Sequence, residues 1–287
     1  MSAPSMRAMR IGLRRGWTEH IQFLSSRREL ASTLIGTVGV YVLLVRWQGD
    51  TVVEGTGESQ AVLMTAGFIA FSVFSAALLN LPMGIAADRE EGTLLRLRTV
   101  PGGPAAYLVG RAVSVLLQIA GYVLLMLAAG AAVAGLRLPG SPADWLTLAW
   151  VLALGTLSVV PVGAALGALL PGPRNAASIL SLPVMALMVV SGVMFPVARL
   201  PEAVQTVAQF FPLYWQGLGL RAVFLPDAMA AAEIGGTWRL PETAAVLGAW
   251  AAAGLLLAPW VLLRATRRES GARLAERRER RAAQGAL

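Results

Sequence analysis

Six runs of roughly 20 apolar residues follow one another through this 287-residue chain, and the charged side chains gather between them. A helix rising 1.5 Å per residue needs about 20 residues to cross about 30 Å of hydrocarbon. The runs therefore predict six membrane-spanning helices, over residues 30–47, 61–86, 107–135, 145–170, 176–197 and 243–263. With 56% hydrophobic and 14% charged residues, against roughly 45–50% and 25% in soluble domains, most of the surface must face lipid rather than water.

Three regions follow. Residues 1–29 carry Met6, Met9, Leu13, Trp17, Ile21 and Leu24 at three- and four-residue spacing, with Arg7, Arg10, Arg14 and Arg15 mostly off that stripe. This pattern predicts an amphipathic helix at the membrane surface, not a cleaved leader. Residues 30–263 form the transmembrane region, and the arginine-rich residues 264–287 a solvated tail. Within span two, Pro82 should bend the helix. The stretch 198–241 mixes aromatic residues, prolines and charges and holds no clean span, so short external or re-entrant helices are expected there.

All 24 basic residues are arginine, and there is no lysine or cysteine. The N-terminal arm, the loop between spans two and three, the turn at Arg174 and the tail hold 19 arginines (6, 4, 1 and 8). The opposite side holds 5: Arg46, Arg137, Arg199, Arg221 and Arg239. The positive-inside rule places the arginine-rich side, with both termini, in the cytoplasm. The net charge of +8 lies beside apolar spans, where it meets anionic head groups, not nucleic acid.

Catalytic equipment is missing. A phosphate-binding loop needs a lysine to reach the β- and γ-phosphates. His20 is the single histidine, so a paired-histidine metal motif is impossible, and no base or metal cluster accompanies Ser191 or Asp88, as a lipid-modifying enzyme would require. The span interiors lack carboxylates, against an ion-coupled carrier. Catalytic, metal and cofactor residues are thus expected to be absent. In span four, Gly163-x-x-x-Gly167 suits close helix packing.

The most informative stretch is Asp88-Arg-Glu-Glu-Gly-Thr-Leu-Leu-Arg-Leu-Arg-Thr-Val-Pro101, followed by Tyr107-Leu-Val-Gly110-Arg111. It predicts a short charged helix broken by a Pro-Gly turn, with Glu90 and Glu91 near its start favouring the helix dipole. A second run holds Ser191-Gly-Val-Met-Phe-Pro196, Leu200-Pro201, Phe211-Pro-Leu-Tyr214 and Leu220-Arg221. Together these resemble the type-2 permease family of ABC transporters, the membrane subunits of ABC exporters of the daunorubicin and multidrug-efflux kind. Phe211 stands where the family pattern has Asn.

The resemblance implies a dimer of six-helix permeases, identical or different, bound to two copies of a separate ABC ATPase that holds ATP and magnesium. It makes Glu90, Glu91, Gly92, Thr93, Leu94 and Leu97 the coupling helix that seats on that ATPase. It sets spans two and five facing the dimer axis, where Phe68, Phe71, Phe74 and Asn80, with Met185, Met188 and Met194, offer a soft lining for apolar cargo. Such a complex exports an amphipathic or hydrophobic drug-like compound, or else a lipid or polysaccharide, across a prokaryotic inner membrane.

Overall fold

The computed structural model describes residues 6–53, 59–98 and 102–267, and it is helical in every apolar segment. Six stretches are long and apolar enough to cross a membrane: Leu30–Gln48, Gln60–Glu90, Ala106–Val133, Pro142–Leu169, Pro173–Val190 and Leu240–Ala258. This is an all-α integral membrane protein, and among the described residues β-pairing amounts to one isolated bridge between Val52 and Ser59. Glu54 and Glu58 of the acidic loop, residues 99–101 of the Pro-Gly turn and the tail from 268 onward lie outside the described residues.

Helix α1 (Met6–Ser25) precedes span one, which is assembled from α2 (Arg27–Thr33), a π-helical stretch Leu34–Gly39 and α3 (Val40–Gln48). Span two is α4 (Gln60–Ser75), a π-helical stretch Ala76–Asn80 and α5 (Leu81–Glu90). Pro82 sits in the first turn of α5, where its missing N–H and its ring would disturb an ordinary helix. The wider π turn before it absorbs the disturbance, so the span continues without a break. A short helix α6 (Thr93–Arg98) leads to α7 (Gly103–Val133), then α8 (Pro142–Leu169) and α9 (Pro173–Val190). After α9 come α10 (Glu202–Phe210), α11 (Pro212–Phe224) and α12 (Leu240–Arg267).

Span two is the axis of the bundle. Nearly every residue of α4 is buried, enclosed by α3, α7, α8 and α11. Gly163 and Gly167 of α8 face it, where added Cβ atoms would meet Ala77 O and Pro82 Cα, so this pair serves close packing inside the chain. Along its other side α8 packs on α12, with Gly254 against Pro161 and Val162.

Span five is shorter than the expected 176–197. It ends at Val190 because Gly192 turns the chain with φ +75°, a left-handed conformation that suits glycine. Met194 therefore lies in the turn beyond the span.

Within the stretch 198–241, α11 packs inside the helix bundle. Gln216 on α11 meets Gly155, Gly219 meets Val151 and Gly217 meets Ala70. Ala70 lies ten residues into span two, about 15 Å at 1.5 Å per residue. Helices α10 and α11 therefore form a hairpin whose tip reaches towards the bundle centre, and Trp250 Nε1 donates to Phe210 O at that tip (2.9 Å). Such irregular backbone is tolerated at membrane depth because protein surrounds it.

Candidate functional site

Two left-handed glycines frame α6. Gly92 (φ +77°) ends α5 and Gly102 (φ +74°) precedes α7, and Gly103 presses on the carbonyl of Leu97. The chain thus leaves span two, makes one short helix and enters span three within 13 residues, Gly92 to Pro104, of which 99–101 lie outside the described residues. The expected dipole role of Glu90 and Glu91 is corrected. Glu90 is the last residue of α5 and Glu91 its C-cap, so both sit at the negative end of a helix, where carboxylates lose stability. Glu91 is exposed, Glu90, Thr93 and Leu97 are half-buried, and Gly92 is buried. The side chain of Leu94 lies outside the described residues.

The elements on either side of α6 are tied to the bundle by two sets of contacts. Arg89 is buried and its Nη1 donates to the carbonyls of Gly167 (3.2 Å), Ala168 and Leu170 (3.0 Å). Those carbonyls belong to the end of α8 and have no partner within the helix, so the guanidinium caps span four from span two. The second set joins α1, α5 and α7. Tyr107 Oη donates to Asp88 Oδ2 at 2.9 Å, and Arg111 Nε lies 3.7 Å from the same carboxylate. Arg111 Nη1 donates to Glu19 at 3.3 Å, Arg15 Nε to Glu19 at 2.8 Å, and the Arg15 guanidinium lies over the Tyr107 ring, 4.9 Å from its centre. Arg111 reaches this place because Gly84 has no side chain; a Cβ there would collide with Nη2.

Helix α1 joins this cluster by an unexpected face. Met6, Met9, Leu13, Trp17, Ile21 and Leu24 all remain exposed. The packed face is Ala8, Gly12 and Gly16, set against Gly102, Ala106 and Gly110 at the start of α7. An added Cβ on Gly12 would lie 2.7 Å from Ala106 O, and one on Gly16 2.6 Å from Gly110 O. Residue numbers rise together on both sides, so α1 runs alongside the start of α7 in the same direction. Two small-x-x-x-small stripes let the backbones approach closely. Sequence reading passed over these stripes because the apolar period dominates the segment.

At the other end, Arg221 of α11 and Glu233 are fully buried together, with Nε 2.7 Å from Oε1 and Nη2 donating to Oε2 at 3.2 Å. Arg221 Nη1 also donates to Gly192 O at 3.1 Å, joining the hairpin to the turn after span five. Neither the pairing nor the burial was legible in the sequence, where Arg221 counts as one loop charge among five.

The residues expected to line a cargo path do not share one surface. Phe68 (3% exposed) and Phe74 (1%) are core residues, Phe68 stacking edge-on against Tyr41 and Phe71. They pack inside the chain because α3, α7, α8 and α11 enclose the α4 half of span two. Phe71 is half-buried, Met188 buried, Met185 exposed and Met194 half-buried. Asn80 is exposed and its Nδ2 donates to Tyr122 Oη at 3.2 Å.

Residues 46–262, three quarters of the chain, match the family described as ABC-2 family transporter protein. The match takes in both motif runs, the α6 cluster except α1, and the α10–α11 hairpin. No curated protein matches the chain.

Proposed function

Because this chain belongs to the ABC-2 family of transporter proteins, we propose that it is the permease subunit of an ATP-driven exporter, powered by a separate nucleotide-binding subunit. ATP and magnesium are held by that partner, present in two copies, and a second permease, identical or related, completes the complex. Both termini and α6 face the cytoplasm of a prokaryotic cell, a reading whose orientation the 19-to-5 arginine distribution supports. The cargo is an amphipathic or hydrophobic small molecule of the drug or antibiotic type, with lipid or polysaccharide as the alternative.

The observation that carries this reading is the bracing of α6. A push on α6 passes through Arg89 to the end of span four, and through Asp88, Tyr107 and Arg111 to span three and α1. A connecting loop has no need of such struts, whereas a docking element has. Glu90 and Glu91, at the end of α5, would face arginines or lysines on the ATPase. Gly92, Thr93, Leu94 and Leu97 complete the docking element. For the cargo path, the residues of the earlier set still open to a partner or to lipid are Phe71, Asn80, Met185 and Met194.

The test is co-expression with a genetically adjacent ABC ATPase. The pair should co-purify and drive ATP-dependent accumulation in inverted vesicles. Glu91→Arg, on an exposed side chain, should abolish co-purification while leaving the folded permease intact. ATP hydrolysis by the purified chain alone would refute the reading.

A further inference from the structure

Beside the braces of α6 the structure holds a polar cavity whose deeper groups the coupling role does not use. A cavity of about 620 Å³ lies between the end of α1, the start of span one, the π turn of span two and the first half of α7. Its wall on α7 is Arg111, Ser114, Gln118 and Tyr122, spaced by three, four and four residues, which is one face of a helix. Opposite stand Asn80 on the π turn and His20 on α1. Tyr122 lies 16 residues beyond Ala106 in the 28-residue apolar stretch Ala106–Val133, so the cavity, from Arg111 to Tyr122, reaches near the middle of that stretch. Polar side chains at that depth are costly unless they serve a partner or a passage.

The lining also states which partner. The charges at the mouth are engaged with one another: Arg15 with Glu19, and Arg111 with Glu19 and Asp88. An ionic head group would have to displace one of these pairs and leave its former partner uncompensated. The deeper groups are neutral. Asn80 Nδ2 and Gln118 Nε2 both donate to Tyr122 Oη, at 3.2 and 3.3 Å, and Ser114 stands beside them. Amides and hydroxyls satisfy a neutral polyhydroxyl group without disturbing any ion pair, and replace the water it loses at that depth. The rings of His20, Phe23 and Tyr122 supply apolar faces.

The geometry points to a binding site for the neutral, hydroxyl-rich head group of an amphiphile whose chain lies in the adjoining leaflet. The site deepens the proposed export function by naming a cargo class, and it rests on that reading only for the step from ligand to cargo. Binding itself requires neither ATP nor the ATPase.

The probe is a decyl glucoside carrying a photoreactive diazirine, offered to the full chain in phosphatidylcholine vesicles, with adducts mapped by mass spectrometry. Labelling is expected in residues 19–33, 80–84 and 111–122, displaced by excess decyl glucoside but not by decyl phosphate or decyltrimethylammonium. Gln118→Leu and, separately, Asn80→Ala should each lower labelling about tenfold, the loss of one buried hydrogen bond. Leu124→Ala, on the exposed side of α7, should leave it unchanged. Labelling spread over Leu108 and Leu124, or equal displacement by either ion, overturns the site. Labelling as expected without ATP-dependent export of the glucoside refutes the transport reading and leaves the site; export without labelling refutes the site alone.

Discussion

Arg221 and Glu233, twelve residues apart, meet as a two-pronged ion pair, 2.7 and 3.2 Å between heavy atoms, with neither side chain open to solvent. The pair closes the irregular chain after α11 onto the hairpin, and through Gly192 onto the end of span five. Removing one member leaves the other charged and buried, which costs about 3–5 kcal/mol, whereas replacing both with apolar residues of similar size is close to neutral. Arg221→Leu should therefore sharply reduce the folded fraction in detergent. Arg221→Leu with Glu233→Leu should recover most of it, measured by thermal unfolding.

Arg89 separates assembly from transmission. With Arg89→Leu, α6 and its exposed Glu91 remain, so the ATPase should still bind and hydrolyse ATP. The tie to the α8 carbonyls is gone, at about 1.5–3 kcal/mol for each charged hydrogen bond. Export per ATP hydrolysed should fall severalfold. A parallel fall in ATPase binding would place Arg89 in the docking surface instead.

Gly92 turns the chain at φ +77°. A side chain there costs about 1–2 kcal/mol in that conformation, and Gly92→Val should cost more because β-branched residues resist it. The expected result is a lower unfolding temperature together with weaker ATPase co-purification. Gly140→Val, at a glycine with open space and ordinary φ, should change neither.

The parallel packing of α1 on α7 is tested directly by the absence of native cysteine. Arg15→Cys with Gly110→Cys should form a disulfide on oxidation, since a Cβ at Gly110 lies 3.4 Å from Arg15 Cβ. Ile11→Cys with Val109→Cys should not, because Ile11 is on the exposed side. Crosslinking by the second pair and not the first would overturn the register.

Some of this was plain in the residues. The apolar runs place all six spans within a few residues at most ends, because crossing hydrocarbon demands a fixed length of helix and leaves charges nowhere else to go. The α10–α11 hairpin was visible as aromatic, proline-broken sequence too hydrophobic for water. Gly92 reads in the sequence as part of the short charged helix, whereas it turns the chain where α5 ends. Other features were not legible, for identifiable reasons. The stripe Met6, Met9, Leu13, Trp17, Ile21 and Leu24 is exposed, as a face against a membrane surface would be, while the contact with the bundle belongs to Ala8, Gly12 and Gly16, which hydrophobicity does not register. The burial of Phe68 and Phe74 was not legible either, because apolar side chains facing lipid, cargo or core are alike in sequence.

The sequence by itself determined that this chain lives in lipid, how many times it crosses and where its charged connector lies, since each follows from local length, hydropathy and turn chemistry. Tertiary structure alone decided which apolar faces meet one another and which charges meet inside. Arg89 with the end of α8, Arg221 with Glu233, and Arg111 above Gly84 are pairings between segments remote along the helix path or the chain. In a membrane hydrophobicity cannot choose between neighbours, because lipid is as apolar as a helix; close approach at small residues and the cost of an unpaired charge make that choice.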